Sequence, residues 1–363
     1  MMLKKLDRYI IGKFLSTFFF TVLIIVMIGV VIDFSEKVEK FIEEPVTIQE
    51  ILFQYYPSFI LFVVGLLWPL FTLIAVIFFT SRMAANSEII SIFNAGVSFR
   101  RFLRPYLLAA GFLVALYLVG SHFVIPNGNK LMLDFLYTYI DKNQDKGQTR
   151  DVHLFVSPDT KVYIRSYRKR DSTARDFRIE QFQDNELVRL IKAPRVEWVE
   201  ATRKWRLRNY EIRTFSGLRE ELESGMGEYM DTTLNLEPQD FVDFRDQQSM
   251  MTTPQLVQYI QRQKKRGASN LRKYQLELTR RTAEPVTVFI LTLIGVSIAA
   301  RKVRGGIGMH LATGIGLGAL FIFLARFSIV FAQGQSIPVW LGIWFPNMIF
   351  GAVAVWLIFR AQK

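Results

Sequence analysis

Four long runs of this chain contain no Asp, Glu, Lys or Arg: Phe14–Ile32, Tyr55–Ser81, Pro105–Asn129 and Val339–Phe359. Each is close to or beyond the roughly 20 apolar residues that a helix needs to cross a bilayer. A fifth run, Pro285–Ala300, is shorter and extends back into the polar residues before it. A sixth, Gly305–Ala325, continues past Arg326 to about Ala332. Any one of these could be a buried helix of a soluble core. Six of them, in a chain of 363 residues that is 51% hydrophobic with 32 Phe, read as six membrane spans. The first run is too long for a signal peptide, and no small-residue cleavage site follows it.

The net charge of +13 suits an anionic partner or membrane surface, but its distribution says more. Lys4, Lys5, Arg8 and Lys13 precede the first span. Arg82, Arg100, Arg101 and Arg104 lie between the second and third. Arg301, Lys302 and Arg304 lie between the fourth and fifth, and Arg360 and Lys363 follow the sixth. An even number of spans puts all four segments on one side, which the positive-inside rule makes the cytoplasm. Both termini are then cytoplasmic. The acidic loop with Asp33, Glu36, Glu39, Glu43 and Glu44 faces outward, as does the large polar insert between spans three and four. A long insert crosses regardless of its own charges.

The chain divides into residues 1–129, with three spans and a helix over 82–101, a β domain over 130–252, and residues 253–363, with connecting helices and three more spans. Inside the insert, "KVYIRSY" (161–167), "DFRIEQF" (176–182), "ELVRLI" (186–191), "RVEWVE" (195–200), "KWRLRNYEIRTF" (204–215) and "EYMDTTLNL" (228–236) alternate apolar and polar residues. That period predicts half-buried strands, about eight in all, in an antiparallel β-sandwich or open barrel with one apolar face. Thr253 and Pro254 then open a helix bearing Leu256, Tyr259 and Ile260 on one face. Gly267 ends it, and a second helix starting near Ser269 runs into span four.

The chemistry available is narrow. With no cysteine there is no disulfide framework, thiol nucleophile or cysteine-ligated metal. Gly12-Lys13 lacks the other residues of a phosphate-binding loop. His122, His153 and His310 are isolated, and no His–Glu–x–x–His or Gly–x–Ser–x–Gly pattern occurs. No metal site, cofactor, catalytic residue or nucleic-acid partner is expected.

Between spans two and three lies "SRMAANSEIISIFNAGVSFRRF" (81–102). Ile89, Ile92 and Phe93 fall on one helical face, and Glu88 lies near the N-terminus, where the helix dipole favours a carboxylate. Asn86 or Ser87 can cap this helix. Such a helix either docks into a groove of a soluble partner or lies on the lipid surface.

This segment resembles the coupling helix of the LptF/LptG family, the inner-membrane permeases of lipopolysaccharide export. The family pattern is Ser-Glu, a short apolar run, then a small residue and Gly; here it is Ser87-Glu88, Ile89–Phe93 and Ala95-Gly96. Further family-like pieces follow in order: "LDRYI" (6–10), "IDFSEKVEKF" (32–41), "YQLELTRRTAEPVTVFILTLIGVSIA" (274–299) and "GGIGMHLATGIGLGALFIFLARF" (305–327). The resemblance covers nearly the whole chain. It implies a permease without its own ATPase, an LptF/LptG pair or a second copy seated on an LptB-type ATPase dimer that binds the ATP and Mg. It implies a periplasmic β-jellyroll that passes lipopolysaccharide to LptC/LptA-type bridge proteins for outer-membrane assembly. Ser87, Glu88, Ile92, Phe93, Ala95 and Gly96 would carry ATPase coupling, with Glu88 the main polar contact.

Lipopolysaccharide has phosphates above several acyl chains, so its binder needs cations above an apolar cavity. Lys37 and Lys40, a few residues beyond span one, resemble the family's phosphate-contacting lysines; solvated charges beside Glu36 and Glu39 are the alternative. Arg280 and Arg281 have Glu277 and Glu284 at helical spacing, so an internal ion pair competes with a phosphate contact. Arg326 lies inside span five, roughly 9 Å from its outer end at 1.5 Å per residue. A charge there faces a cavity or snorkels to the interface. Gly314, Gly316 and Gly318 thin span five, and either line a lateral gate or pack against span six. Other readings are a permease of another ABC class, for lipoprotein release or mechanotransmission, and a membrane scaffold or sensor without an ATPase.

Overall fold

The computed structural model describes residues 4–140, 150–168, 171–184, 186–217, 219–241, 246–267, 271–301, 306–334 and 337–361. Lys302, Arg304, Lys363, Asn185 and Ser269 lie outside them. Six helices long and apolar enough to cross a membrane match the six runs. They are α1 (Lys5–Glu43), α2 (Ile48–Ala85), α4 (Phe99–Ile140), α6 (Arg272–Ala299), α7 (Gly306–Gln333) and α8 (Val339–Ala361). The short α3 (Glu88–Asn94) sits between α2 and α4, and α5 (Thr253–Lys265) precedes α6. The third long helix does not stop near Asn129 but continues to Ile140.

In the helical unit α6 is the central element. It packs against α2, α4, α7 and α8. Leu291, Ile294 and Val296 are buried in it, and a methyl group at Gly295 would collide with Val76 of α2. A glycine there lets the two backbones close up. Prolines interrupt four of the spans: Pro69, Pro105, Pro285 and Pro346. Each removes the N–H that would bond the carbonyl four residues earlier. Inside a bilayer that carbonyl needs another donor. For Pro69 the freed group is the Gly65 carbonyl, which accepts a hydrogen bond from the Tyr117 hydroxyl of α4 at 3.1 Å. For Pro346 it is the Gly342 carbonyl, which accepts one from Ser328 of α7 at 2.5 Å. Neighbouring helices thus repair the ladders, and each repair also ties two spans together.

The β unit is one six-stranded antiparallel sheet in the order β1-β2-β3-β4-β5-β6. The strands are β1 (Arg150–Ser157), β2 (Thr160–Arg168), β3 (Thr173–Gln183), β4 (Glu186–Val199), β5 (Lys204–Ser216) and β6 (Arg219–Thr232). Two segments that read as separate strands, 186–191 and 195–200, are one strand running through Pro194. Proline has no place in a central ladder unless the pairing lapses. It does lapse, along one row: Asp151, Arg165, Asp176, Pro194 and Asn209 are skipped, with Ala193 and Tyr210 also unpaired between β4 and β5, while the register stays the same on both sides. Asp151, Asp176 and Asn209 hold left-handed φ values of 50°, 51° and 54°. Gly227 does the same on β6 at 81°, and its N–H donates to Asn209 Oδ1 at 2.9 Å.

The row shifts the in–out alternation by one residue. Buried neighbours are two apart elsewhere but three apart across it: Ile164 and Tyr167, Ala174 and Phe177, Ala193 and Val196. Both halves of each strand therefore bury their apolar residues on the same side. Trp205 lies fully inside this core, and its indole N–H donates to the Leu236 carbonyl at 2.8 Å.

Candidate functional site

The expected helix over 82–101 is three pieces. Residues 82–85 finish α2, α3 covers only Glu88–Asn94, and α4 begins at Phe99. Ser87 takes a left-handed φ of 62° and makes no side-chain cap, and Gly96 at 82° turns the chain after α3. Ser98 caps α4, its Oγ accepting from the Arg101 N–H at 3.3 Å. These two reversals let seven helical residues fit between spans.

The apolar face of α3 points into its own unit. Ile89 is buried, and Ile92 and Phe93 pack on the same core. The Phe93 ring meets Phe102 edge-on, 5.5 Å between centroids. Ile92 and Phe93, both half-buried, therefore anchor the segment. Its exposed side carries Ile90, Ser91, Asn94, Ala95 and Gly96. Glu88 stands at its edge with both oxygens occupied. The Tyr9 hydroxyl donates to Oε2 at 3.0 Å, and Asn86 Nδ2 to Oε1 at 3.4 Å. Two residues before Tyr9, buried Asp7 pairs with Arg101 at 2.7 Å. The loop is thus tied twice to the start of α1, across 79 and 94 residues of sequence. No local pattern in the sequence signals Tyr9 as the partner of Glu88.

Lys37 and Lys40 lie within α1, which runs to Glu43. The Lys37 ammonium contacts the Asp33 carboxylate and the Tyr55 hydroxyl, which itself donates to Asp33 Oδ2 at 2.9 Å. It also sits 5.2 Å from the Tyr55 ring and 5.6 Å from that of Phe59. Lys40 is one turn further on and exposed. The signal missed here was Asp33, the first charge after an uncharged run.

On α6 the ion-pair reading wins for Arg281. It is 2% exposed; its Nε bonds Glu277 at 2.9 Å, Nη1 donates to Thr253 Oγ1 at 3.1 Å and Nη2 to the Gln248 carbonyl at 3.2 Å. A guanidinium so enclosed fits the internal ion pair, the alternative to a lipid contact at this residue. Thr253 also meets His122 Nδ1 at 2.8 Å. Arg280 shares Glu277 at 2.9 Å and Glu284 at 3.3 Å, and the Tyr117 hydroxyl also lies against Glu284. Arg280 keeps about a third of its side chain accessible.

On α7 the glycines divide. A methyl group at Gly314 would strike Ile77, and one at Gly318 would lie 2.6 Å from Leu70. Both face α2, so the neighbour they fit is span two rather than span six. Gly316 meets nothing within 4 Å. Arg326 is exposed between exposed Phe323 and Phe327 and makes no hydrogen bond or ion pair among the described residues. Among those residues no His, Asp and Glu cluster could hold a metal ion.

Six spans, four of them packed around the sheltered helix α6, with a β unit inserted after the third in sequence, make this a multi-pass membrane protein. The family model of the lipopolysaccharide export system permease LptF/LptG matches residues 8–360, and the chain belongs to that family. It is 23% identical over 377 residues to the lipopolysaccharide export system permease protein LptG of Haemophilus influenzae, covering 99% of this chain and all of that one. The family is that of a transporter subunit rather than an enzyme.

Proposed function

We propose that this chain is the permease half of a machine that lifts lipopolysaccharide out of the inner membrane and hands it to periplasmic bridge proteins of the LptC/LptA type. A separate LptB-type ATPase dimer supplies the energy, and a sibling permease or second copy completes the cavity. The family match over residues 8–360 carries this reading. The ATPase docks on the exposed side of α3, at Ile90, Ser91 and Asn94, with Ser87, Ala95 and Gly96 shaping the turns and Glu88 the polar contact, held by Tyr9. The lipid's phosphates meet Arg326, Lys40 and the accessible side of Arg280, with Lys37 reaching them from its Asp33–Tyr55 seat. Arg326 suits this role because a membrane-level cation without a partner is costly until an anion or cavity water reaches it. Of the three glycines, Gly316, with nothing within 4 Å of an added methyl group, is the one assigned here to a lateral gate.

The test is recovery of the tagged protein from its native membrane in mild detergent, with bound proteins and lipids identified by mass spectrometry. An ABC ATPase together with lipopolysaccharide is the expected yield. Recovery of neither, from a folded chain, would overturn the proposal.

A further inference from the structure

The solvent face of the sheet carries a charge pattern that folding does not call for. Following the register beside the crease, Arg150 stands opposite Ser166, then Arg175, Arg195, Arg208 and Tyr229 on successive strands. Arg150, Arg175, Arg195, Arg208 and Tyr229 are all exposed. Beyond the crease, Arg178 stands opposite Lys192 in the next outward row. Arg175, Arg195 and Arg208 are direct cross-strand neighbours, and like charges so placed destabilise a sheet.

The acids nearby answer only part of this. Glu197 meets Arg195 at 3.0 Å and Arg208 at 3.1 Å, while Asp176 is used by Arg165 at 3.1 Å. Glu180 and Glu211 occupy neighbouring outward positions, with Glu211 3.6 Å from Arg213. Arg175, Arg178 and Lys192 enter no ion pair among the described residues, and Arg178 lies over the Tyr163 ring at 5.2 Å.

We infer that this row is a binding surface for a phosphorylated oligosaccharide. Adjacent strands are about 4.8 Å apart. That spaces the guanidinium stems at about the length of one sugar residue, and the planar fork takes phosphate with two parallel hydrogen bonds. Tyr163 and Tyr229 flank these cations, each with an arginine over its ring, Arg178 at 5.2 Å and Arg206 at 4.7 Å, and their hydroxyls add hydrogen-bonding groups for a sugar. Neither outward row holds an aliphatic side chain of the kind a bilayer surface would take up. This deepens the export reading and rests on it only for the source of the sugar, the saccharide part of the cargo; the surface itself rests on the register.

The experiment uses the full chain in detergent, without partners, and a fluorescent pentamannosyl phosphate as probe. Unphosphorylated mannopentaose and vesicles of neutral and anionic phospholipid serve as comparisons. The ladder variant is Arg175→Gln with Arg195→Gln and Arg208→Gln. The control variant removes the same charge elsewhere, as Arg189→Gln with Lys204→Gln and Arg219→Gln. The expected result is saturable binding of the phosphorylated sugar, weakened at least tenfold in the ladder variant and less than twofold in the control, with a melting temperature in the ladder variant that is unchanged or raised. Equal losses in both variants would reduce the effect to net charge and overturn the inference. So would equal binding of the neutral sugar, or binding to anionic vesicles alone. Because no ATPase is present, failure here leaves the export reading standing, and failure of the pull-down leaves this result standing.

Discussion

Helices α6 and α7 are both 28 residues long and both carry arginine within a span-length helix, yet they treat it in opposite ways. In α6 Arg281 is buried and Arg280 half-buried; both are answered by its own glutamates about one turn away, and Arg281 also by a threonine and a carbonyl from residues 248–253. In α7 the charge is exposed beside phenylalanines and has no hydrogen bond or ion pair among the described residues. The most apolar stretch of α6 is 61% buried and that of α7 17%. Burial tracks the outcome: the central helix encloses one guanidinium and half-covers the other, both ion-paired, whereas the peripheral one leaves its own exposed. The identity of the residue therefore says little until its company is known.

The strongest way to break this contrast is Glu277→Gln. It leaves Arg280 and Arg281 sharing a neutral amide, and loss of one partner of a buried pair costs about 3–5 kcal/mol. Thermal melting in detergent is expected to show a large fall or no folded protein; a near-native melt would mean the α6 network is incidental. Next comes Gly314→Leu, which overpacks the α7–α2 seam at Ile77 and is expected to cost about 1–3 kcal/mol. Gly316→Leu, two residues on, should stay within about 0.5 kcal/mol. Equal melts for the two glycine variants would contradict the assigned faces.

A smaller effect is expected from Tyr9→Phe, which removes one hydrogen bond to the Glu88 carboxylate, worth about 1 kcal/mol net. Co-purified ATPase should fall several-fold with little change in melting, and undiminished recovery would remove Tyr9 from the docking segment. Arg326→Gln should move the melt least of all. Its effect belongs in the bound lipid, with lipopolysaccharide per protein falling by half or more; a destabilised protein with normal lipid content would show that Arg326 serves the fold after all.

Hydropathy was enough to find the six spans, because a bilayer imposes length and apolarity on each segment locally. Alternation found β2 to β5 for a similar reason, but it split β4 at Pro194, passed over β1, began β6 at Glu228 rather than Arg219 and expected about eight strands where the described residues form one sheet of six. What it did not show was long-range company. Tyr9 and Glu88 each look ordinary in their own segments, and Arg281 becomes structural only once Thr253 and Gln248 arrive from the chain before α6. The face of α3 was legible, but not which side of it looked inward. Gly314 and Gly318 announced a close contact without naming α2. The crease did leave a trace: Asp151, Asp176, Asn209 and Gly227 are residue types that accept left-handed backbone, set among strand formers where apolar spacing slips from two to three.

That crease also acts as a ruler. Each strand from β1 to β5 places its irregular residue in the same row as its neighbour's, so the strands share an internal zero mark. Adding one residue to a hairpin turn leaves every mark aligned. Adding one residue within β3, between Asp176 and the turn to β4, displaces its mark against Pro194 and sends half a strand's apolar side chains to the wrong face. Tolerance to insertion in this sheet is therefore set by distance from the crease as well as by exposure, which makes its hairpin tips the places where length can drift and its central strands the places where it cannot.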